Sequence, residues 1–182
     1  MRMVRRFTGI APQPWANGRG STRVLFDDAA AGAWTWRISI ADLAGPQPYS
    51  SLPGVQRFQL SLGPGDLTLR VNDASAVLHP LQWWGFAGED RVTAMPDAAG
   101  LRALNLFARR DRWVGSLSTA SDEEITVTGA GIDVAVALPG DVGGTVHAVA
   151  GRPVAPLDSM LLDPGATALE GAFAVLRLVP VR

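Results

Sequence analysis

Apolar and polar residues alternate with a period of two along much of this chain, the spacing of strands buried on one face. In residues 35–40, Trp36, Ile38 and Ile40 share one face, while Thr35, Arg37 and Ser39 share the other. Phe58, Leu60 and Leu62 alternate with Gln59 and Ser61, and Leu67, Leu69 and Val71 alternate with Thr68, Arg70 and Asn72. Gly-Pro, Pro-Gly and Asn-Asp pairs bound these runs, which predicts short antiparallel strands in a sandwich or barrel. With 20 glycines and 13 prolines in 182 residues, a long uninterrupted helix has few places to form. Ala29, Ala30, Ala31 and Gly32 read as a small-residue loop, and Asp122, Glu123 and Glu124 as a solvated turn or cap.

The pattern repeats in the later part of the chain. Residues 58–69 read as a strand, the turn Gly63-Pro64-Gly65-Asp66 and a second strand; residues 134–146 read as a strand, the turn Pro139-Gly140-Asp141 and a second strand. Gly65 and Gly140 are 75 residues apart, Pro80 and Pro156 are 76 apart, and each half ends in an apolar strand, residues 101–107 and 173–179. The expectation is a duplicated small barrel divided as 1–115 and 116–182, with exchange of strands between the halves left open. The tryptophans and most of the clustered arginines precede residue 115, and the second half is mainly Ala, Val, Leu and Gly. A ligand site is therefore expected in the first half and a structural partner in the second.

Composition narrows the class without naming an activity. A hydrophobic fraction of 47% describes a globular chain, and a net charge of -1 gives no electrostatic case for nucleic acid or an anionic membrane. No apolar run approaches the length needed to span a bilayer. The basic start, Met1 to Arg6, has no apolar stretch before Pro12 and Pro14, so no signal peptide is expected and the cytoplasm is the default address. The absence of cysteine excludes disulfides, thiolate metal sites and cysteine nucleophiles. His79 and His147 are the two histidines, one per half, which cannot supply a histidine-rich metal centre; no metal and no cofactor are expected.

The densest chemistry lies in Pro14-Trp15-Ala16-Asn17-Gly18-Arg19-Gly20-Ser21-Thr22-Arg23. Gly18 and Gly20 allow close backbone approach, and Asn17, Thr22 and Arg23 add hydrogen-bonding groups. Two readings stand: a tight corner whose asparagine satisfies its own backbone, or a turn presenting polar groups at the mouth of a pocket. Arg37 and Ser39 share a strand face, and Arg57 opens another strand after Pro53-Gly54. Two guanidinium forks facing one concavity suit a small acid. The alternative pairs them with Asp42, Asp66 or Glu89 in structural ion pairs. Asn105, set among Leu104, Leu106 and Phe107, needs a hydrogen-bond partner in a ligand, a water or a neighbouring backbone. Arg109 and Arg110 read as a solvated edge or salt bridges. No nucleophile elbow or phosphate loop occurs, and Glu89 is the one residue singled out for acid–base catalysis.

Five blocks taken in order resemble the HutD/Ves family: Pro14 to Arg23, Trp36 to Ala41, Gly45 to Arg57, Phe86 to Glu89 and Leu104 to Arg110. The resemblance covers roughly the first 110 residues, and the second half agrees in length and character. It implies an all-β bicupin, two small antiparallel β-barrel or jelly-roll cupin domains in one chain, associated with histidine utilisation. It further implies a metal-free pocket for a small acidic metabolite such as formylglutamate or urocanate. Carried over position by position, the implied ligand-binding residues are Asn17, Thr22, Arg23, Arg37, Ser39, Arg57 and Asn105. The family pattern usually has lysine where this chain has Ala16, glycine at Arg19, aspartate at Gln56 and another aspartate near Ala103. These departures bear on the ligand more than on the fold.

The expected function is thus a binding protein for a small carboxylate, with a regulatory or accessory role in histidine utilisation. The alternatives are a cupin-type isomerase or hydrolase acting on a sugar or small acid through Glu89, and an interaction module built on exposed tryptophans. A small acidic metabolite is the expected partner, a homodimer is left open, and neither nucleic acid nor membrane is expected.

Overall fold

A computed structural model describes residues 4–30, 33–140 and 146–182; Ala31, Gly32 and Asp141, part of the expected loop and turn, lie outside the described residues. In chain order the strands are β1 (Val4–Arg5), β2 (Gln13–Pro14), β3 (Gly20–Asp27), β4 (Trp36–Leu43), β5 (Gln47–Pro48), β6 (Val55–Gly63), β7 (Leu67–Val71), β8 (Ala74–Leu78), β9 (Trp83–Ala87), β10 (Val92–Pro96), β11 (Arg102–Arg109), β12 (Trp113–Val127), β13 (Ile132–Ala137), β14 (His147–Val149), β15 (Arg152–Val154), β16 (Ser159–Leu161) and β17 (Gly165–Pro180). One 3-10 turn, Phe7–Gly9, is the sole helical element among the described residues, and no helix there is long and apolar enough to cross a membrane. The all-β expectation matches this architecture.

The chain divides into two compact units, one of residues Ala11–Trp113 and one of Met1–Ile10 with Val114–Arg182. This differs from a division at 115 in the first ten residues, because β1 pairs with β16. The buried carboxylate of Asp158 holds that segment in place: it accepts from the backbone N–H of Phe7 at 2.9 Å and from the Arg6 guanidinium.

In unit 11–113, a six-stranded sheet runs β2-β3-β4-β11-β6-β9 and a four-stranded sheet runs β5-β10-β7-β8. Their pairings are antiparallel throughout. Leu43, Leu101 and Ala103 of one sheet region pack with Leu67, Leu69, Val92 and Ala94 of the other to form a buried core. Alternation explains which residues enter it, since a one-residue slip would turn each strand over. On β4, β6 and β11 the opposite face carries Ile38, Ile40, Leu60, Leu104 and Leu106, all fully buried.

The other unit is a sheet of order β1-β16-β13-β17-β14-β15, with β12 paired to β17. Its core gathers Ala135, Ala137, Val149, Leu169, Phe173 and neighbouring apolar residues. Asp122, Glu123 and Glu124 are exposed as anticipated, yet they lie inside the long strand β12 and not in a turn. The reason is local: Asp122 takes φ +49, kinking the strand, and its carboxylate accepts from the Gly171 N–H at 2.7 Å.

Candidate functional site

The run from Pro14 to Arg23 builds the β2–β3 hairpin. The Trp15 N–H donates to the Gly20 carbonyl at 2.9 Å, the Gly18 N–H to the Trp15 carbonyl at 3.0 Å, and the Arg19 N–H to Asn17 Oδ1 at 2.9 Å. Gly18 sits at φ +69, the left-handed region that favours glycine. Gly20 is required for a different reason, because a Cβ there would lie 2.6 Å from the Trp15 ring and would also strike the Asp42 carbonyl oxygen. The indole so placed donates to Thr22 Oγ1 at 2.7 Å. Both readings of this run describe it: Asn17 caps its own turn, and Trp15, Asn17 and Thr22 border a cavity.

That cavity has a volume of about 600 Å³ and opens over one stretch of the six-stranded sheet. Three rows of cross-strand partners cross the sheet there, and the cavity is lined by Arg37, Phe107 and Arg57 of the first, Ser39, Asn105 and Gln59 of the second, and Thr22 and Ala41 of the third. The first runs Asp27, Arg37, Phe107, Arg57, Phe86; the second Val24, Ser39, Asn105, Gln59, Trp84; the third Thr22, Ala41, Ala103, Ser61. Successive rows lie two residues apart on β4, β6 and β11, and three apart on β3 between Asp27 and Val24, so the face shifts from charged to amide and hydroxyl to small. Trp34 and Tyr49 form walls at the charged end, together with Ser50 and Leu52.

Arg57 is the residue on which the site turns. It is 6% exposed, and its guanidinium carbon lies 4.8 Å from the Tyr49 ring centroid and 5.0 Å from those of Phe86 and Phe107. Its Nη1 donates weakly to the Ser50 carbonyl at 3.4 Å, its Nε has no protein partner, and no carboxylate among the described residues pairs with it. Burial pushes its pKa down to about 10, and the neighbouring Tyr49 phenol offsets this only in part. Burial likewise pushes the Tyr49 phenol up to about 12; its oxygen accepts from Gln59 Nε2 at 2.6 Å. Arg37 is different. It lies 5.2 Å from the Trp34 ring, and its Nε and Nη2 donate to Asp27 at 3.2 and 3.1 Å. Asp27 is an ion-pair partner other than the three anticipated.

Of the seven residues implied by the resemblance, Asn17, Thr22, Arg37, Ser39, Arg57 and Asn105 line this cavity. Arg23 does not; it pairs with Asp42, which Ser21 and Arg102 also contact. Burial raises the Asp42 carboxyl, but the Arg102 and Ser21 hydrogen bonds and both arginine charges outweigh it and hold the group below its usual range. Asn105 donates to the Ala103 carbonyl at 3.2 Å and lines the cavity. Glu89 is away from the lining, half-exposed, and bound by the forked guanidinium of Arg110, whose hydrogen bonds lower its carboxyl pKa. Trp15, read as part of the Pro14–Arg23 run, joins the cavity, as do Gln59, Tyr49 and Trp34, which were not singled out. Of those three, Gln59 alone had a readable signal, since it shares the strand face of Arg57. Among the described residues, no group of three His, Asp or Glu side chains is arranged to hold a metal ion.

The antiparallel β fold is that of cupin proteins. A cupin barrel protein from Leptotrichia buccalis superposes with a TM-score of 0.61 at 12% identity, over 98% of this chain and 96% of that one. The family model for HutD matches residues 8–175, and the chain belongs to the HutD family. Protein Ves of Citrobacter koseri is 30% identical over 169 residues, covering 91% of this chain and 82% of that protein. The structure of HutD from Pseudomonas fluorescens SBW25 superposes with a TM-score of 0.88 at 24% identity over the full length of both chains.

Proposed function

We propose that this protein binds a small carboxylate in the cavity above Arg57 and serves an accessory or regulatory role in histidine utilisation, without catalysing a reaction. One observation carries the reading: a buried guanidinium faces a 600 Å³ cavity with no carboxylate of its own. A charge held in that way is stabilised strongly by an anion that arrives with matching geometry. Ser39, Gln59 and Asn105 supply neutral hydrogen-bonding groups beside it. No carboxylate or histidine is among the residues lining the cavity, so a general acid or base would have to come from the phenol of Tyr49, which burial keeps protonated. Family membership supports the link to histidine utilisation, and the two compact units support one cupin barrel in each.

Calorimetric titration of the purified protein with formylglutamate, urocanate and other small carboxylates, each against its neutral amide, tests the reading. At least one acid is expected to bind, with its amide markedly weaker. Absence of binding by every acid rejects it.

A further inference from the structure

The two arginines that line the cavity are not equivalent. Arg37 spends its charge on Asp27, with both Nε and Nη2 directed to one carboxylate oxygen at 3.2 and 3.1 Å. Arg57 has no acidic partner and is walled by three aromatic rings. No acidic side chain lines the cavity itself. The cavity therefore offers one uncompensated positive charge.

We infer that Asp27 sets the charge count of the cavity and restricts its ligand to a monocarboxylate with a neutral hydrogen-bonding tail. The inference rests on the proposed carboxylate binding and adds the ligand class and the residue that selects it. The carboxylate sits on Arg57 at the charged row. The tail reaches the next row, two residues further along β4, β6 and β11, at a spacing of roughly 6–7 Å. There Ser39, Gln59 and Asn105 are 2%, 1% and 6% exposed, so a group seated among them has left water. Gln59 and Asn105 are amides, able to meet a neutral donor–acceptor group in either orientation and carrying no charge to balance a second carboxylate. The oxygen of Gln59 has no protein partner. A second carboxylate placed there would be desolvated without a cation, which disfavours it strongly. Its remaining recourse, Arg37, is already held by Asp27.

The test uses probes that differ in charge and little in size: glutarate against glutaramate and succinate against succinamate, titrated into wild-type protein and Asp27→Asn by calorimetry. In wild type, each monoamide binds at least tenfold tighter than its diacid. In Asp27→Asn, Arg37 is released, the diacid gains at least tenfold, and the monoamide changes less than about threefold. Thermal unfolding of Asp27→Asn checks that the variant folds. A wild-type preference for the diacids overturns the charge count while leaving carboxylate binding standing. A preference that Asp27→Asn leaves unchanged overturns the role of Asp27. Failure of all four probes to bind wild type counts against carboxylate binding itself, and the inference falls with it.

Discussion

Replacing Arg57 with methionine separates a binding role from a structural one, because the two predict different changes in stability. Burial lowers the arginine pKa from 12.5 to about 10, which at roughly 1.4 kcal/mol per pKa unit sets about 3 kcal/mol against the charged form in the folded protein. The three ring faces act in the opposite direction, at about 0.5–2 kcal/mol each. These contributions nearly cancel. Methionine keeps most of the apolar stem, so Arg57→Met is expected to leave the free protein within about 1.5 kcal/mol of wild type. The ligand-dependent term has no such offset. A ligand at 100 times its dissociation constant adds about 2.7 kcal/mol, a rise of roughly 5–10 °C in unfolding temperature for a chain of this size. The assay is thermal unfolding of both proteins with and without the tightest acid found by calorimetry. Wild type should show the rise and Arg57→Met should not, with similar unfolding temperatures when free. A ligand-induced rise that survives in Arg57→Met refutes the anion-binding role. A free variant that unfolds more than about 10 °C below wild type shows instead that the guanidinium is a structural member of the core.

Tyr49 is the one tyrosine of the chain, so phenolate absorbance reports it alone. Its folded pKa of about 12 lies above the unfolded value near 10, so the stability it confers is full below pH 10 and is lost as pH climbs from 10 towards 12. The loss amounts to roughly 2–3 kcal/mol, and Tyr49→Phe should remove that part of the alkaline decline; a phenol titrating near pH 10 in still-folded protein would contradict its burial. Gly20→Ala drives a Cβ into the Asp42 carbonyl and the Trp15 ring and should cost about 1–3 kcal/mol in denaturant unfolding. An unaltered midpoint would mean that the β2–β3 hairpin tolerates displacement of Trp15. Glu89→Gln should leave both ligand affinity and unfolding temperature close to wild type, since its carboxylate meets Arg110 outside the cavity; abolished binding would place Glu89 in the site after all.

Periodicity accounts for the part of the site that was legible in the sequence. Arg37 and Ser39 alternate with Trp36, Ile38 and Ile40, and β4 keeps that alternation with the apolar set buried and the polar set facing the cavity. The same rule places Gln59 beside Arg57, although its amide reads on its own as an ordinary solvent-facing strand residue. Trp34, Tyr49 and Ser50 were not legible in this way. They reach the cavity from connecting segments, where no period fixes the direction of a side chain. Arg23 illustrates the converse. It lies in the richest motif of the chain, but Asp42, opposite Ser21 and Arg102 on neighbouring strands, claims its charge.

The partner of Arg37 was hidden by a register shift. Pairing from Val24 with Ser39 would, without interruption, set Leu25 against Ile38 and Phe26 against Arg37. An irregularity between Val24 and Phe26 advances β3 by one residue, so Phe26 meets Ile38 and Asp27 meets Arg37. A bulge of this kind inserts one residue and re-aims the side chains beyond it. Here it leaves Leu25 fully buried and brings a carboxylate to the end of the charged row. Composition counts Asp27 as one acidic residue among 17, and strand alternation alone would put an aromatic side chain opposite Arg37. The backbone irregularity decides that one of the two cavity arginines is neutralised and the other is not. The charge that the cavity presents is therefore a property of strand register as much as of residue identity.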